Sequence, residues 1–264
     1  MSGRTAGTSS YRERNSTADR ALDILSMFSE DLPVVSGSEV ATKLGVARST
    51  AYRYLQSLVT NRFLEEAPGG GFRLGLRVME LARVARKAYG LSEIAAPVMA
   101  QLADAVEETV LLTRRTGGLV VCVDRAESLS RPVRISYDRG SVLPVNAGAS
   151  ALVLLAWTDP DEARNLLETS DLRSFTSATL TDVDALMDRL RDIRQKGYSL
   201  SRAELDRDVL GIAAPVRDGA DRVIAAVSVA AVASRVSRER EQEIIDRVCG
   251  AAREISERIV LVEG

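Results

Sequence analysis

The segment Arg48–Gln56 sets Arg48, Ser49, Thr50, Tyr52, Arg53 and Gln56 close together. Guanidinium, hydroxyl and amide groups of this kind contact phosphate oxygens and pair with base edges in a major groove. At helical spacing, Ala51, Leu55 and Leu58 fall on the opposite face, which predicts a helix with an apolar inside and a polar, donor-rich outside. A second group with chemical potential is Glu204, Asp206 and Asp208. Three carboxylates suggest a metal or acid–base site, but strand alternation would scatter them, and a solvated loop is the expectation. The chain has no histidine. The commonest general base and metal ligand is therefore absent, and with it every Ser-His or Cys-His nucleophile system.

The polar helix needs a scaffold, and the flanking residues supply one. Ser36 and Glu39 form a capping box ahead of a short helix expected over Glu39–Leu44, which Gly45 ends in a left-handed turn. The polar helix follows from Arg48. Phe63–Glu66 and Phe72–Leu74, joined by Pro68-Gly69-Gly70-Gly71, read as a hairpin. Arg73 sits on that hairpin, where it would reach a phosphate. A preceding helix from about Ser16, carrying Ala21, Leu22, Leu25, Met27 and Phe28, completes a small core. This is a helix-turn-helix with a wing, although the same helix pair also occurs in purely structural three-helix bundles.

The chain has 264 residues, and 35 Lys and Arg against 37 Asp and Glu give a net charge of −2. DNA binding then rests on locally clustered Arg48, Arg53, Arg62 and Arg73, followed by Arg77, Arg83, Arg86 and Lys87, rather than on overall basicity. The winged module leaves room for a second domain. No apolar run is long enough to span a bilayer, and the start of the chain lacks a signal peptide's apolar core, so a cytoplasmic protein is expected. Cys122 and Cys249 read as buried thiols rather than a disulfide, and two distant cysteines argue against a zinc site; no metal or cofactor is expected.

Residues 1–14 lack a hydrophobic pattern and are expected to be a disordered arm, with Arg12 and Arg14 near DNA. Residues 15–75 form the winged helix-turn-helix. Residues 76–90 form a linker helix, with Leu76, Met79, Leu81, Ala82, Ala85 and Ala88 on one side. From 91 to 264, helices and strands alternate: a helix capped by Ser92 and reaching about Glu107; strands Thr109–Arg115 and Leu119–Arg125 across Gly117-Gly118; a strand Pro132–Ser136; and a loop Gly140–Asn146. Helices at Ala147–Trp157, Asp161–Glu168 and Asp182–Lys196 follow, then strands at Tyr198–Ala203, Leu210–Arg217 and Arg222–Ala231, and a last helix Arg238–Ile259. The fold class is α+β, the C-terminal part being a GAF- or PAS-like antiparallel sheet flanked by helices. Such a sheet cups a small ligand.

In this order the segments resemble the IclR family of bacterial transcription regulators along nearly the whole chain. The match is carried by Arg48-Ser49-Thr50-Ala51-Tyr52-Arg53-Tyr54-Leu55, by Gly140-Ser141-Val142-Leu143-Pro144-Val145-Asn146-Ala147, and by Gly197-Tyr198-Ser199 through Glu204 to Gly211-Ile212-Ala213-Ala214-Pro215-Val216, with Ala225-Ala226-Val227-Ser228-Val229 after it. The resemblance implies dimers, often pairing into tetramers, on partly palindromic double-stranded operators. It also implies small organic acids or aromatics as effectors, in a pocket of Val133, Ile135, Ala149, Ser150, Ser201, Val209, Gly211, Ser228 and Ala230. Small residues at these places also serve close packing, so each position carries both readings.

Some positions depart from the family pattern. Ser201, Gly211 and Ala230 make the pocket roomier and less polar than in relatives that bind keto acids. Asn146 stands where a His is frequent, Ala151-Leu152 replaces Gly-Lys, and Ala47 replaces a capping Ser or Thr. The expected function is a sequence-specific transcriptional regulator, a repressor whose operator affinity is modulated by an effector, and not an enzyme. The alternatives are a C-terminal domain that only oligomerises, and a carboxylate-dependent enzyme with an accessory DNA-binding domain.

Overall fold

The computed structural model describes residues 16–29, 31–128 and 137–263. The arm over 1–14 and the strand over Pro132–Ser136 lie outside the described residues. The chain divides into two compact units, Met1–Ala85 and Arg86–Gly264.

The first unit begins with α1 (Ser16–Leu25), α2 (Gly37–Leu44) and α3 (Arg48–Thr60), followed by β1 (Leu64–Glu66) and β2 (Phe72–Leu74). In α1 the inward stripe is Ala21, Ile24, Leu25 and Phe28, spaced i, i+3, i+4, i+7. Ile24 is fully buried, whereas Leu22, expected in the core, is 61% exposed because it lies about 100° round the helix from Ala21 and off that stripe. The helix also stops at Leu25, short of Met27 and Phe28.

Helix α2 starts two residues earlier than expected. Ser36 is its N-cap and Glu39 its third residue: the Glu39 amide donates to Ser36 Oγ at 3.2 Å, and the Ser36 amide donates to Glu39 Oε2 at 2.7 Å. That amide holds the Glu39 carboxyl below its ordinary pKa. Strands β1 and β2 pair antiparallel as the wing, Glu65 opposite Arg73. Val35 adds a further bridge, exchanging amide hydrogen bonds of 2.9 and 2.8 Å with Phe72. Full burial of Ile24, Leu55 and Leu64 contributes about 1.5–3 kcal/mol each.

Helix α4 (Leu76–Tyr89) leaves Gly75. A Cβ on Gly75 would stand 2.4 Å from the Arg62 carbonyl oxygen, so only glycine fits there.

The second unit contains α5 (Leu91–Val106), β3 (Thr109–Thr116), β4 (Leu119–Ala126), β5 (Val142–Leu143), α6 (Ala149–Ala156), α7 (Pro160–Thr169), α8 (Val183–Lys196), β6 (Ser199–Arg202), β7 (Val209–Arg217), β8 (Val223–Val232) and α9 (Arg238–Glu263). The strands form one antiparallel sheet in the order β5-β4-β3-β8-β7-β6. Alternation along β8 sends Val227, Val229 and Ala231 to a core shared with α5 and α9. Ala226 faces the other core, shared with α6, α7 and α8. Helices therefore cover both faces of the sheet, the three-layer solution for strands apolar on both sides.

Several details differ from the sequence reading. The N-cap of α5 is Gly90, at φ 56°, and not Ser92. The expected loop Gly140–Asn146 holds β5, which pairs Leu143 with Val120, a strand too short for a periodic signal. The last helix runs on to Glu263. Cys122 is buried and Cys249 only half-buried; both are free thiols. Burial pushes the Cys122 thiol up to about 11 and raises that of Cys249, which opposes thiolate reactivity. No described helix is long and apolar enough to cross a membrane.

Candidate functional sites

Helix α3 displays its polar row as its amphipathic pattern requires. Arg48, Ser49, Tyr52, Arg53 and Gln56 are exposed and Thr50 is half-buried, while Ala51, Leu55 and Leu58 face the core. Arg48 donates a hydrogen bond through Nη2 to Ser38 Oγ of α2, which steers the guanidinium across the helix pair. Tyr52 has a structural role as well. Its ring makes an edge contact with Phe72, the centroids 6.1 Å apart, and lies over Gly37, where a Cβ would be 2.6 Å from the ring. Arg73 on the wing is paired with Glu65, Nε to Oε1 2.8 Å. Ala47 gives α3 no side-chain cap, which leaves its first amides without the oxygen a Ser or Thr would supply.

The second unit holds a cavity of about 410 Å³ between the sheet and the start of α6. Its floor follows from strand register. Ser201 lies opposite Gly211, Gly211 opposite Ala230, and Ser228 opposite Leu111, so these residues share one face. Ala149 and Ser150 open α6 above them, and Val209 lies at the edge. The structure thus brings seven of the nine sequence candidates to one cavity: Ala149, Ser150, Ser201, Val209, Gly211, Ser228 and Ala230. Val133 and Ile135 lie outside the described residues.

Packing explains some of these small residues as well. A Cβ on Gly211 would come 3.3 Å from that of Ala149, so strand and helix approach closely there. Gly148, before α6, has φ 87°, and a Cβ would press within 2.7 Å of Leu205 Cδ1. Ser150 Oγ donates to Ser228 Oγ at 2.8 Å, and both side chains are buried, at 5% and 3% exposure.

Among the lining residues that sequence reasoning missed, Leu111, Leu143, Val229 and Val232 lie on strands, and Tyr137, Gly148, Leu205, Asp206 and Asp208 lie on loops. Loop residues carry no periodic signal, and only the fold shows which way they turn. Burial, then the charge of Asp206, push the Tyr137 phenol up.

Glu204 corrects the expectation of a solvated loop. It is buried, and its Oε2 accepts the Gly148 amide at 3.0 Å. Burial raises its pKa, opposed by the Gly148 amide, by Arg189 and by the Ser201 hydroxyl. Thr179 Oγ1 donates to its carbonyl at 2.6 Å, and Thr176 Oγ1 to that of Ala203, tying this turn to the loop before α8. Asp206 and Asp208 are exposed, with no helix or strand to hold them against Glu204. Among the described residues no group of three His, Cys, Asp or Glu is placed to hold a metal ion. Asn146 is buried and donates to the carbonyls of Arg173 and Leu180 at 3.1 and 2.8 Å, a clamp on that loop.

Comparison with known proteins agrees with both halves. The model of the IclR helix-turn-helix domain matches residues 17–68, and that of the bacterial transcriptional regulator IclR C-terminal domain matches 84–257. The chain is 28% identical over 248 residues to the HTH-type transcriptional regulator KipR of Bacillus subtilis, covering 94% of this chain and 98% of that one. It is 32% identical over 242 residues to the HTH-type transcriptional regulator BhcR of Paracoccus denitrificans, covering 90% and 85%. Among solved structures, an IclR homolog of Microbacterium hydrocarbonoxydans complexed with 4-hydroxybenzoate superposes with a TM-score of 0.79 at 27% identity, covering 92% of this chain and 98% of that one. With a winged module, a sheet covered by helices on both faces and these matches along its length, the chain belongs to the IclR family of DNA-binding bacterial transcriptional regulators.

Proposed function

We propose that this regulator is a repressor that grips its operator through α3 and the wing, and that a small organic acid or aromatic metabolite in the cavity changes its operator affinity. The exposed row Arg48, Ser49, Tyr52, Arg53 and Gln56, with half-buried Thr50 among them, on a helix whose other face is core, is the observation that carries the DNA half. Arg73 joins it as a wing contact, exchanging Glu65 for a phosphate. The amides left by Ala47 at the start of α3 suit a phosphate oxygen, since helix N-termini favour anions.

The effector half rests on the cavity. The first amides of α6, at Ala149 and Ser150, suit the acceptor atoms of a carboxylate, and the apolar floor suits a ring or short chain. The Microbacterium relative holding 4-hydroxybenzoate supports a ligand of that size. The protein acts as a homo-oligomer: a single winged module buries too little DNA surface for useful specificity, so two half-sites and two copies are required. On α4, Leu76, Met79 and Val84 are 66%, 70% and 54% exposed, an apolar stripe that a second copy would cover. As a cytoplasmic sensor it biases one global state over another by binding them unequally.

The test is fluorescence anisotropy on a promoter fragment upstream of the protein's own coding sequence, with and without small carboxylic acids and phenolics. Steep loss of affinity with salt is expected from counterion release, together with at least one metabolite that shifts the dissociation constant. Salt-independent binding would overturn the DNA half. Metabolites that bind the protein without changing operator affinity would overturn the coupling.

A further inference from the structure

The wing and α3 carry charge in different ways. Along α3 the charged residues are Arg48 and Arg53, with no carboxylate among them. Arg48 is held by a neutral hydroxyl, that of Ser38, and Arg53 is exposed. From Phe63 to Gly75, two carboxylates, Glu65 and Glu66, stand against one cation, Arg73. Strand register fixes which of them Arg73 meets. Glu65 is its direct cross-strand partner. Backbone hydrogen bonds on either side hold that register, the Gly75 amide donating to the Phe63 carbonyl at 2.8 Å and the Ala67 amide to the Gly71 carbonyl at 3.0 Å. Leu64 and Phe72 turn inward and are buried, so alternation leaves Glu65 and Arg73 together on the outer face. Their side chains are about half exposed, with Arg73 Nε 2.8 Å from Glu65 Oε1. The edge contact of Tyr52 on Phe72 fastens β2 beside the α3 row. A phosphate that takes Arg73 therefore exchanges one ion pair for another, and it leaves the Glu65 carboxylate close to a second negative charge.

Resting on the reading of the wing as a DNA contact, we infer that Glu65 is an internal competitor of DNA for Arg73, a residue that holds the regulator's grip on DNA below its maximum. In the free protein the charge of Arg73 is already answered, whereas α3 offers its two cations unopposed by any carboxylate of its own. Phosphate contacts carry no base information. The restraint therefore lowers affinity for every sequence alike, and discrimination between sequences is left to α3.

Fluorescence anisotropy of the full-length protein on two duplexes tests this, one the promoter fragment and the other a scrambled sequence of the same length. The proteins compared are wild type, Glu65→Gln, Arg73→Ala and the double variant. Gln keeps the size of the side chain and removes its charge, and circular dichroism checks the fold of each variant. Glu65→Gln should tighten binding about fivefold on both duplexes. It should also steepen the fall of log affinity with log salt by up to about 0.9, because no freed carboxylate then takes up a cation. Arg73→Ala should weaken binding, and in its background the gain from Glu65→Gln should shrink below about twofold. An equal gain with and without Arg73 would make Glu65 a source of general repulsion and overturn the competition. Weaker binding by Glu65→Gln would make Glu65 a support that orients Arg73, and would overturn it too. A gain confined to the promoter duplex would overturn the assignment of Arg73 to a phosphate. Wild-type affinity in Arg73→Ala would overturn the wing contact, and this inference with it, while leaving α3 as the reader. No binding to either duplex by any of the four proteins would overturn the DNA half as a whole.

Discussion

The two units build their working surfaces in opposite ways. In the first, the groups proposed to contact DNA are additions: long polar side chains stand on the outside of α3, and few of them touch the core. In the second, the surface is made by omission. Gly148, Ala149, Gly211 and Ala230 leave space where larger side chains would fill it, and the same residues let α6 approach the sheet. Function and fold should therefore separate cleanly under mutation in the first unit and fail together in the second.

Gly148→Val should give the largest effect. It forces a branched side chain to φ 87° and into Leu205, and strained backbone of this kind costs about 1–3 kcal/mol before the clash is counted. The chain's single tryptophan, Trp157, lies in the second unit, so its fluorescence during urea unfolding isolates that unit. A loss of about 3 kcal/mol is expected, together with loss of ligand binding. An unchanged midpoint would break the comparison.

Next comes Ser228→Ala. It leaves the buried Ser150 hydroxyl without its partner, and such groups cost about 1–3 kcal/mol. Stability by Trp157 fluorescence and ligand affinity should fall together. Loss of affinity at full stability would mean that site and fold separate here too.

Smaller still is Ser36→Ala, which removes the capping box of α2 at about 1 kcal/mol. Circular dichroism should show lower stability of the first unit, while Trp157 fluorescence reports the second unchanged. A matching drop in the fluorescence transition would show that the two units unfold as one.

The smallest effect is a pH dependence. Burial raises the folded-state pKa of Glu204, so the unfolded chain ionises first as pH rises. The stability that this group contributes is present below its unfolded pKa and is lost as pH rises toward the folded one. Glu204→Gln should therefore gain on the wild type between about pH 4.5 and neutrality. A wild type that instead gains on Glu204→Gln as pH rises would mean that the hydrogen bonds from Gly148 and Ser201 outweigh burial.

The contrast also explains what was legible in the sequence. A row of added side chains at helical spacing is a pattern, and Arg48 to Gln56 could be placed on an outward face directly. The small residues of the cavity were located through the family resemblance, and register then shows why they meet: Ser201, Gly211 and Ala230 are successive partners across β6, β7 and β8. Asp206, Asp208 and Tyr137 lie on loops, whose direction depends on tertiary packing. Leu22 was misplaced because hydrophobicity was read without the stripe that Ile24 sets. Glu204 was misplaced because a burial that depends on Gly148, a distant glycine, leaves no local mark.

The central proposal is that the outer face of α3 carries operator recognition while its inner face, Ala51, Leu55 and Leu58, carries the fold. Anisotropy with the Arg48→Ala/Arg53→Ala double variant on promoter DNA tests it most directly. Each arginine that contacts a base or phosphate contributes about 1–3 kcal/mol, so affinity should drop on the order of a hundredfold while the urea midpoint stays within about 0.5 kcal/mol of wild type. Wild-type affinity in a folded double variant would contradict the assignment of α3 as the recognition helix.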